Sequence, residues 1–284
     1  MSLLSRLITF LPTLALAGSP LAASAQEASP WVEGHRSRVR LVAGALDQKV
    51  FLAGAEIRLD PGFKTYWRNP GEAGLPPSFD WSKSTNVASV EVLWPAPSRS
   101  EDAGGVSYGY HGQVLFPLRV RPQDPAMPVN LALEIEYGVC KDICIPAEAQ
   151  LSLQLSASAS PATQALIEAA LASVPRQQPL NADAELAILT VEPAAVDGKS
   201  NLAVKIRAPS GSKPSLFVEG PENWFLQAAP EPVATPKGGS ETFVVDVLER
   251  PRDAIGPIDL RFTLVAGDKA IETKASLDAA RLGR

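Results

Sequence analysis

The chain contains two cysteines, and they lie close together in the sequence. Cys140 and Cys144 are separated by three residues, within the stretch EYGVCKDICIPAEA (residues 136–149). Two thiols at this spacing could form a structural disulfide, bind a soft metal ion such as Cu(I), or exchange disulfides with other proteins. The sequence shows no Ser-His-Asp order, phosphate-binding glycine loop or supported carboxylate pair. The two sulfurs are therefore the candidate reactive atoms.

The residues before the cysteines predict how the pair is arranged. Odd-numbered residues of the run 129–137 are apolar and their neighbours are mostly polar or small, which predicts a half-buried β-strand with odd residues inward. Cys140 then falls on the even, less buried face, and we expect another protein to be able to reach the pair. If residues 141–143 form a hairpin loop, Cys140 and Cys144 oppose each other with Cα atoms roughly 4.5–5.5 Å apart, within disulfide range. A bulge at Gly138 would reverse this parity.

Residue chemistry alone leaves three roles open for the pair. A disulfide that closes so short a loop removes only about 2 kcal/mol of chain entropy, so a purely structural role would add little. Two thiolates suit Cu(I), with His111 as a third ligand, whereas zinc requires four ligands and the histidines are scattered. For redox exchange, Lys141 favours the thiolate and Asp142 disfavours it.

The N-terminal residues predict export. Residues 1–25 combine a basic Arg6, an apolar run over residues 7–17 and small residues ending at Ala25, which is the pattern of a cleaved signal peptide. The apolar run is too short to cross a membrane as a helix, and no later segment is long and apolar enough. We therefore expect a mature chain without a transmembrane segment, in the periplasm, where disulfides persist.

Charge narrows the range of partners. The formal net charge of the whole chain is −5. Removal of the predicted signal peptide takes away one arginine and no acidic residue. A mildly acidic surface does not favour nucleic acid or an anionic membrane as a partner.

Apolar alternation with a period of two predicts an all-β protein with two sandwich domains. The alternating runs lie at residues 51–59, 114–120, 129–137, 151–155, 202–206, 243–247 and 258–264. Between the fourth and fifth runs the chain is rich in Ala, Ser, Pro and Gln, and Pro161 to Val174 has a helical composition. We expect a first sandwich at 33–157, a linker with a short helix at 158–182 and a second sandwich of unknown role at 183–284.

Three blocks of the first predicted domain carry a family resemblance. They are GFKTYWRNPGEAGLPPSFDW (residues 62–81), WPAPSRSEDAGGVSYGYHGQVLFPLRV (94–120) and YGVCKDICIPAEAQLSL (137–153). In this order they resemble the N-terminal periplasmic domain of DsbD, the membrane thiol:disulfide interchange protein. The spacing of the two cysteines is nearer to the ScsB-like branch of that family.

The resemblance implies an immunoglobulin-like sandwich with a reversible Cys140–Cys144 disulfide, protein-disulfide reductase activity and no bound cofactor. Electrons would arrive from a membrane-embedded thiol transporter and leave to disulfide-containing periplasmic proteins, with Cys144 forming the mixed disulfides. We expect the chain to act as the exported portion alone, so that its electron donor is another protein. Cytochrome c biogenesis and copper tolerance are the processes associated with such proteins. A Cu(I)-binding copper-tolerance protein and a binding module with an inert disulfide remain the alternatives.

The resemblance also implies a cap and a wall around the pair. The segment SYGYHG (residues 107–112) best matches the aromatic cap loop of the family, so Tyr108 and Tyr110 are predicted to cover the sulfurs. His111 is a candidate proton shuttle because its pKa range suits thiol exchange. Surface tyrosines at a hairpin tip and an idle histidine are the ordinary alternatives. The predicted wall residues are Tyr66, Trp67 and Asn69.

Overall fold

The computed structural model describes residues 26–72, 74–102, 105–196, 199–234, 240–251 and 254–282. The predicted signal peptide, residues 1–25, lies outside these ranges. Within them, no helix is long and apolar enough to cross a membrane.

The first sandwich consists of two packed antiparallel sheets. One contains β1 (Val32–Gly34), β2 (Ser37–Asp47), β3 (Val50–Leu59), β6 (Val87–Val92) and β9 (Gln113–Pro122), in the order β1-β2-β3-β9-β6. The other contains β4 (Lys64–Gly71), β5 (Ser78–Asp80), β7 (Ser98–Asp102), β8 (Gly105–His111), β10 (Val129–Cys140) and β11 (Cys144–Leu155). Its order is β11-β10-β4-β8-β7, and β5 pairs with β10.

The second sandwich also packs two sheets. One contains β12 (Arg176–Gln177), β15 (Ser215–Glu219), β19 (Pro257–Ala266) and β20 (Lys269–Asp278), in the order β12-β20-β19-β15. The other contains β13 (Ala187–Val196), β14 (Lys199–Arg207), β16 (Phe225–Ala228), β17 (Val233–Ala234) and β18 (Glu241–Glu249). Its order is β13-β14-β18-β16, β17 also pairs with β18, and a short 3-10 helix, Ala279–Leu282, ends the described chain. The predicted all-β fold with two immunoglobulin-like sandwiches is confirmed.

The hairpin of β10 and β11 shows why alternation predicts this fold well. Leu131, Leu133, Ile135, Tyr137 and Val139 are all buried in the first core, so the odd residues of β10 point inward as expected. The pairing runs without interruption from Val129 opposite Leu155 to Cys140 opposite Cys144. The bulge considered at Gly138 therefore does not occur, and the parity holds up to the cysteines.

A short helix, α1 (Pro161–Ala172), follows β11. Ser160 caps its first turn by accepting a hydrogen bond from the backbone N–H of Thr163, and Pro161 occupies the first turn, where a missing N–H costs nothing. Ile167 is fully buried against β2, where a Cβ on Gly44 would lie 2.7 Å from Ile167 Cδ1. The helix thus covers the outer face of the first sandwich, and it ends two residues before the predicted Val174.

The two sandwiches meet at the end of β4. Phe217 of β15 is buried in the first core, with ring centroids 5.8 Å from Trp67 and 5.0 Å from Tyr108. The guanidinium of Arg68 forms ion pairs with Glu219 and Glu272 of the second sandwich. The strand that runs beside the cysteines therefore also holds the second domain.

Candidate functional site

The two cysteines close the hairpin of β10 and β11. Cys140 ends β10, Cys144 begins β11, and the two residues oppose each other with Cα atoms 4.1 Å apart. Their sulfurs form a disulfide bond. The N–H of Lys141 donates to the carbonyl of Ile143 across the turn, at 3.4 Å. The predicted three-residue loop and the opposed arrangement are confirmed.

Solvent reaches the two cysteines unequally. Cys140 is completely buried, whereas Cys144 is exposed. Ile143 beside it is 75% exposed, so the tip of the hairpin projects from the protein. The prediction of a pair that another protein can reach therefore applies to Cys144 and not to Cys140. An incoming thiolate can approach the pair only from the Cys144 side.

A tyrosine hydroxyl lies against both sulfurs. Tyr66 Oη donates a hydrogen bond to Cys140 Sγ at 2.9 Å and is 2.8 Å from Cys144 Sγ. Tyr66 is buried. Burial, and then the negative charge of Asp102, raise the pKa of Tyr66 above its ordinary value of 10.0. The hydroxyl therefore keeps its proton at neutral pH and remains a donor. Tyr66 is the one predicted wall residue that contacts the pair.

Lys64, which no sequence motif singled out, opposes Cys140 in the neighbouring strand. Its ammonium group is largely buried and lies 2.7 Å from both Asp102 Oδ2 and Ser107 Oγ. It is also 5.9 Å from the centroid of the Tyr66 ring. Strand parity could have predicted this position, because Lys64 and Tyr66 are two residues apart and therefore share one face of β4.

Residues 74–77, which we call the covering segment, include Gly74 and Leu75, which contact Tyr66 and Gly138 beside the pair. Gly74 packs against the Tyr66 ring with a φ of +155°, and any Cβ there would collide with Cε1 of that ring. The carbonyl of Leu75 accepts a hydrogen bond from the N–H of Gly138 at 3.1 Å. A Cβ on Gly138 would lie 3.0 Å from Leu75 Cβ, so this close approach favours glycine.

The predicted cap residues lie elsewhere. Tyr108 and Tyr110 belong to β8 and are buried in the first core rather than exposed on a loop. Tyr110 opposes Thr65, which neighbours Tyr66, so both tyrosines point to the opposite face of the sheet from the sulfurs. The hydroxyl of Tyr110 donates to the carbonyl of Pro95 at 2.9 Å. Strand parity thus makes the predicted cap role wrong.

The remaining predicted residues do not contact the sulfurs. His111 opposes Lys64 on the sulfur face, but it is exposed and its Nε2 lies 2.8 Å from Ser100 Oγ. In the part of the chain that the structure describes, no group of three or more His, Cys, Asp or Glu side chains could hold a metal ion. His111 is therefore not a third ligand beside the sulfurs in this arrangement.

Trp67 and Asn69 belong to the domain junction. Trp67 packs on Phe217, and Asn69 Nδ2 donates to the carbonyl of Val218 at 3.1 Å. Their predicted place in the wall of the cysteine site is therefore wrong. They lie one and three residues after Tyr66 in β4. Sequence proximity alone could not show that this strand passes from the cysteine site to the second sandwich.

A family comparison covers the part of the chain that builds this site. Residues 37–156 match the family model for the N-terminal domain of the thiol:disulfide interchange protein DsbD. This range contains both cysteines, Lys64, Tyr66 and the covering segment. Residues 37–156 form a DsbD N-terminal-like domain. The resemblance inferred from three sequence blocks is confirmed, and no curated protein matches the chain.

A solved structure extends the comparison beyond the DsbD-like domain. The fold is similar to the crystal structure of the N-terminal periplasmic domain of ScsB from Proteus mirabilis, with a TM-score of 0.69 and 23% sequence identity. The match covers 89% of this chain and 99% of that one. The first sandwich and its helix end at residue 172, so they make up a smaller share of the chain than the 89% that is matched. The likeness of fold therefore includes the second sandwich.

Proposed function

We infer that this protein exchanges disulfides with other proteins in the periplasm through the Cys140–Cys144 pair. One observation carries the proposal: an exposed cysteine and a buried cysteine are bonded together, and a single tyrosine hydroxyl contacts both sulfurs. A structural disulfide needs neither the exposure nor the donor. The DsbD N-terminal-like domain supports the same chemistry, and the N-terminal sequence pattern supports export.

The unequal exposure assigns a role to each sulfur. A thiolate of a reduced partner attacks Cys144 Sγ, the disulfide breaks, and its electron pair leaves on Cys140 Sγ. A second thiol of the partner then attacks the partner's own sulfur in the mixed disulfide and releases Cys144. The partner dithiol becomes a disulfide, and the pair gains two electrons and two protons. The reverse sequence, begun by the Cys144 thiolate, reduces a disulfide in a substrate protein.

Tyr66 makes the buried leaving group feasible. A thiolate at Cys140 would be unfavourable in an apolar environment, because burial disfavours the charged form. The Tyr66 hydroxyl already points at this sulfur at 2.9 Å, so the charge forms against a donor that is in place. Because it also reaches Cys144 Sγ, the same group serves the reaction in both directions.

The family supports particular partners. We place a membrane-embedded thiol transporter as the electron donor and disulfide-containing periplasmic proteins as acceptors. The reversible disulfide is the redox group of this proposal, and no further cofactor is needed for the exchange.

A redox titration tests the proposal. The mature chain, residues 26–284, is equilibrated in buffers of graded reduced to oxidised glutathione, quenched with acid, and its free thiols are counted. We expect the pair to titrate between no free thiol and two in the native state. A disulfide that is reduced only after unfolding would indicate an inert module. Tight stoichiometric Cu(I) binding by the reduced protein, with slow thiol exchange, would indicate a copper carrier instead.

A further inference from the structure

A cleft lies between the two sandwiches, and the proposed exchange does not use it directly. Its volume is about 330 Å³. The first sandwich contributes the end of β4, the residues that follow it and Tyr108. The second contributes residues 219–227 and Leu248. Ligand sites in proteins favour such domain boundaries.

The wall from the second sandwich exposes large apolar side chains. Phe225 is 52% exposed and Leu248 is 55% exposed, and both line the cleft beside the nearly buried Trp224. The pairing of β16 with β18 shifts between Phe225 and Leu226, so Leu248 is the extra residue of an irregularity. Such irregularities redirect side chains near functional sites. Clustered exposed apolar side chains beside polar ones are typical of binding surfaces.

The charge of the cleft is negative. One arginine, Arg68, faces three glutamates, and it is already paired with Glu219 inside the cleft and with Glu272 beyond it. Glu72 accepts a hydrogen bond from the N–H of Val106. Among the residues that the structure describes, neither Glu72 nor Glu222 has an ion-pair partner. A cationic ligand would therefore complement the cleft.

The cleft adjoins the cover of the redox pair. Gly71 and Glu72 line it, and the covering segment begins two residues later at Gly74. Gly74 and Leu75 contact Tyr66 and Gly138, as described above. A molecule in the cleft therefore contacts Glu72, two residues before the segment that packs on Tyr66.

We propose that this interdomain cleft is the docking site for a redox partner of the Cys140–Cys144 pair, which inserts a polypeptide segment with an apolar side chain next to a Lys or Arg. The apolar side chain packs against Phe225, Leu248 and Trp224. The cation meets the carboxylates of Glu72 and Glu222. The inference rests on the proposed function, because it is protein exchange partners that need such a site. It gives the second sandwich the task of recognition while the first carries the chemistry.

Peptide selection tests the chemistry of the docking segment. A random library of cysteine-free 12-residue peptides is selected on the oxidised protein, on the cleft variant Glu222→Lys/Phe225→Ser, and on the control variant Asp268→Lys/Ile255→Ser. The control also replaces one acidic residue by Lys and one apolar residue by Ser, at exposed positions of the same sandwich outside the cleft. We expect the native protein and the control to enrich peptides that pair an apolar residue with Lys or Arg. A synthetic copy should bind the cleft variant at least about tenfold more weakly. Enrichment of acidic peptides, absence of enrichment, or equal binding to the cleft variant overturns the proposal.

A second measurement links docking to exchange. The selected peptide is extended by a flexible linker and one cysteine, and its reaction with the Cys140–Cys144 disulfide is compared with that of a Gly/Ser peptide of equal length. Docking should raise the rate roughly tenfold or more through effective concentration, and the cleft variant should lose this advantage. A docked peptide without advantage would show that the cleft does not serve redox partners. Reduction by dithiothreitol should be equal in all three proteins. If dithiothreitol reduced the disulfide in none of them, the proposed exchange itself would be refuted. The peptide-binding measurement would still show whether the cleft is a docking site.

Discussion

Replacing Tyr66 by Phe removes the hydroxyl that touches both sulfurs and keeps the ring against the covering segment. The hydroxyl donates to Cys140 Sγ at 2.9 Å and lies 2.8 Å from Cys144 Sγ, so both sulfurs lose a contact in this variant. Cys140 is completely buried, so water does not replace the lost donor at that sulfur. The reduced pair should therefore ionise at higher pH in the variant.

The size of the effect follows from the strength of one hydrogen bond to a charged acceptor. Such a bond contributes about 1.5–3 kcal/mol, which corresponds to a rise of roughly 1–2 pKa units in the thiol. Below the thiol pKa, the thiolate fraction falls by the full shift, while the nucleophilicity of the remaining thiolate rises with a Brønsted coefficient of about 0.4–0.5. The rate of attack on an external disulfide at neutral pH should thus fall roughly 3- to 16-fold.

The assay is the reaction of the reduced protein with 4,4'-dithiodipyridine between pH 5 and 10, which gives both the thiol pKa and the rate. The control is Tyr110→Phe, because Tyr110 loses a buried hydroxyl that donates to Pro95 on the opposite face of the sheet. That variant should lose about 1 kcal/mol of stability and keep the native thiol reactivity. Equal pKa values for the native protein and the Tyr66 variant would refute the role of the hydroxyl.

Three further predictions concern the cover, the sulfurs and the junction. Gly74→Ala should speed reduction by dithiothreitol because its Cβ displaces the covering segment, whereas Gly112→Ala, also at positive φ but facing open space, should not; equal rates would contradict the cover. Cys140→Ala should trap mixed disulfides on gels and Cys144→Ala should trap none; the reverse pattern would exchange their roles. Burial alone would raise the pKa of Glu272, but the hydrogen bond from Gln177 and the charge of Arg68 hold it below its ordinary value. Glu272→Gln should therefore cost about 1–3 kcal/mol of unfolding free energy at pH 7, a loss that shrinks as pH falls through the native carboxyl pKa; a loss independent of pH in chemical denaturation would argue against the ion pair.

Local pattern was sufficient to predict the hairpin that carries the cysteines. The apolar odd positions of β10 had to face the core, and this parity placed Cys140 on the other face and opposite Cys144. Nothing beyond the strand period and a three-residue turn was required. The contact that covers Cys140 was not predictable in this way, because Tyr66 approaches from another part of the chain.

The cap prediction failed although the sequence contained the opposing signal. Residues 107–112 are rich in glycine and match a family loop, which favoured a mobile cap. Val106, Tyr108 and Tyr110 also alternate with small residues, which is the pattern of a strand with one buried face, and all three are buried. Gly109 fits this strand as well, since a Cβ there would clash with the carbonyl of Thr65 in β4.

The junction could not be predicted from local sequence. Arg68 and Glu219 are 151 residues apart, and Lys64 and Asp102 are 38 apart. Each of these residues looks like an ordinary surface charge in its own segment. Packing of the two sandwiches brings Arg68 to Glu219, and the folding of one sheet of the first sandwich brings Lys64 to Asp102. The partners therefore follow from tertiary structure and not from spacing.

One strand joins the chemistry to the second sandwich. β4 places Lys64 opposite Cys140 and Tyr66 on the sulfurs, and four residues after Lys64 it places Arg68 in the junction and the cleft. A shift of the second sandwich that moves Arg68 must be transmitted along this strand or absorbed by it. If docking in the cleft changes how readily the disulfide is reduced, the oxidised and reduced proteins must bind the docked segment with affinities that differ by the same factor. The second sandwich would then distinguish the two redox states of a pair that it does not touch.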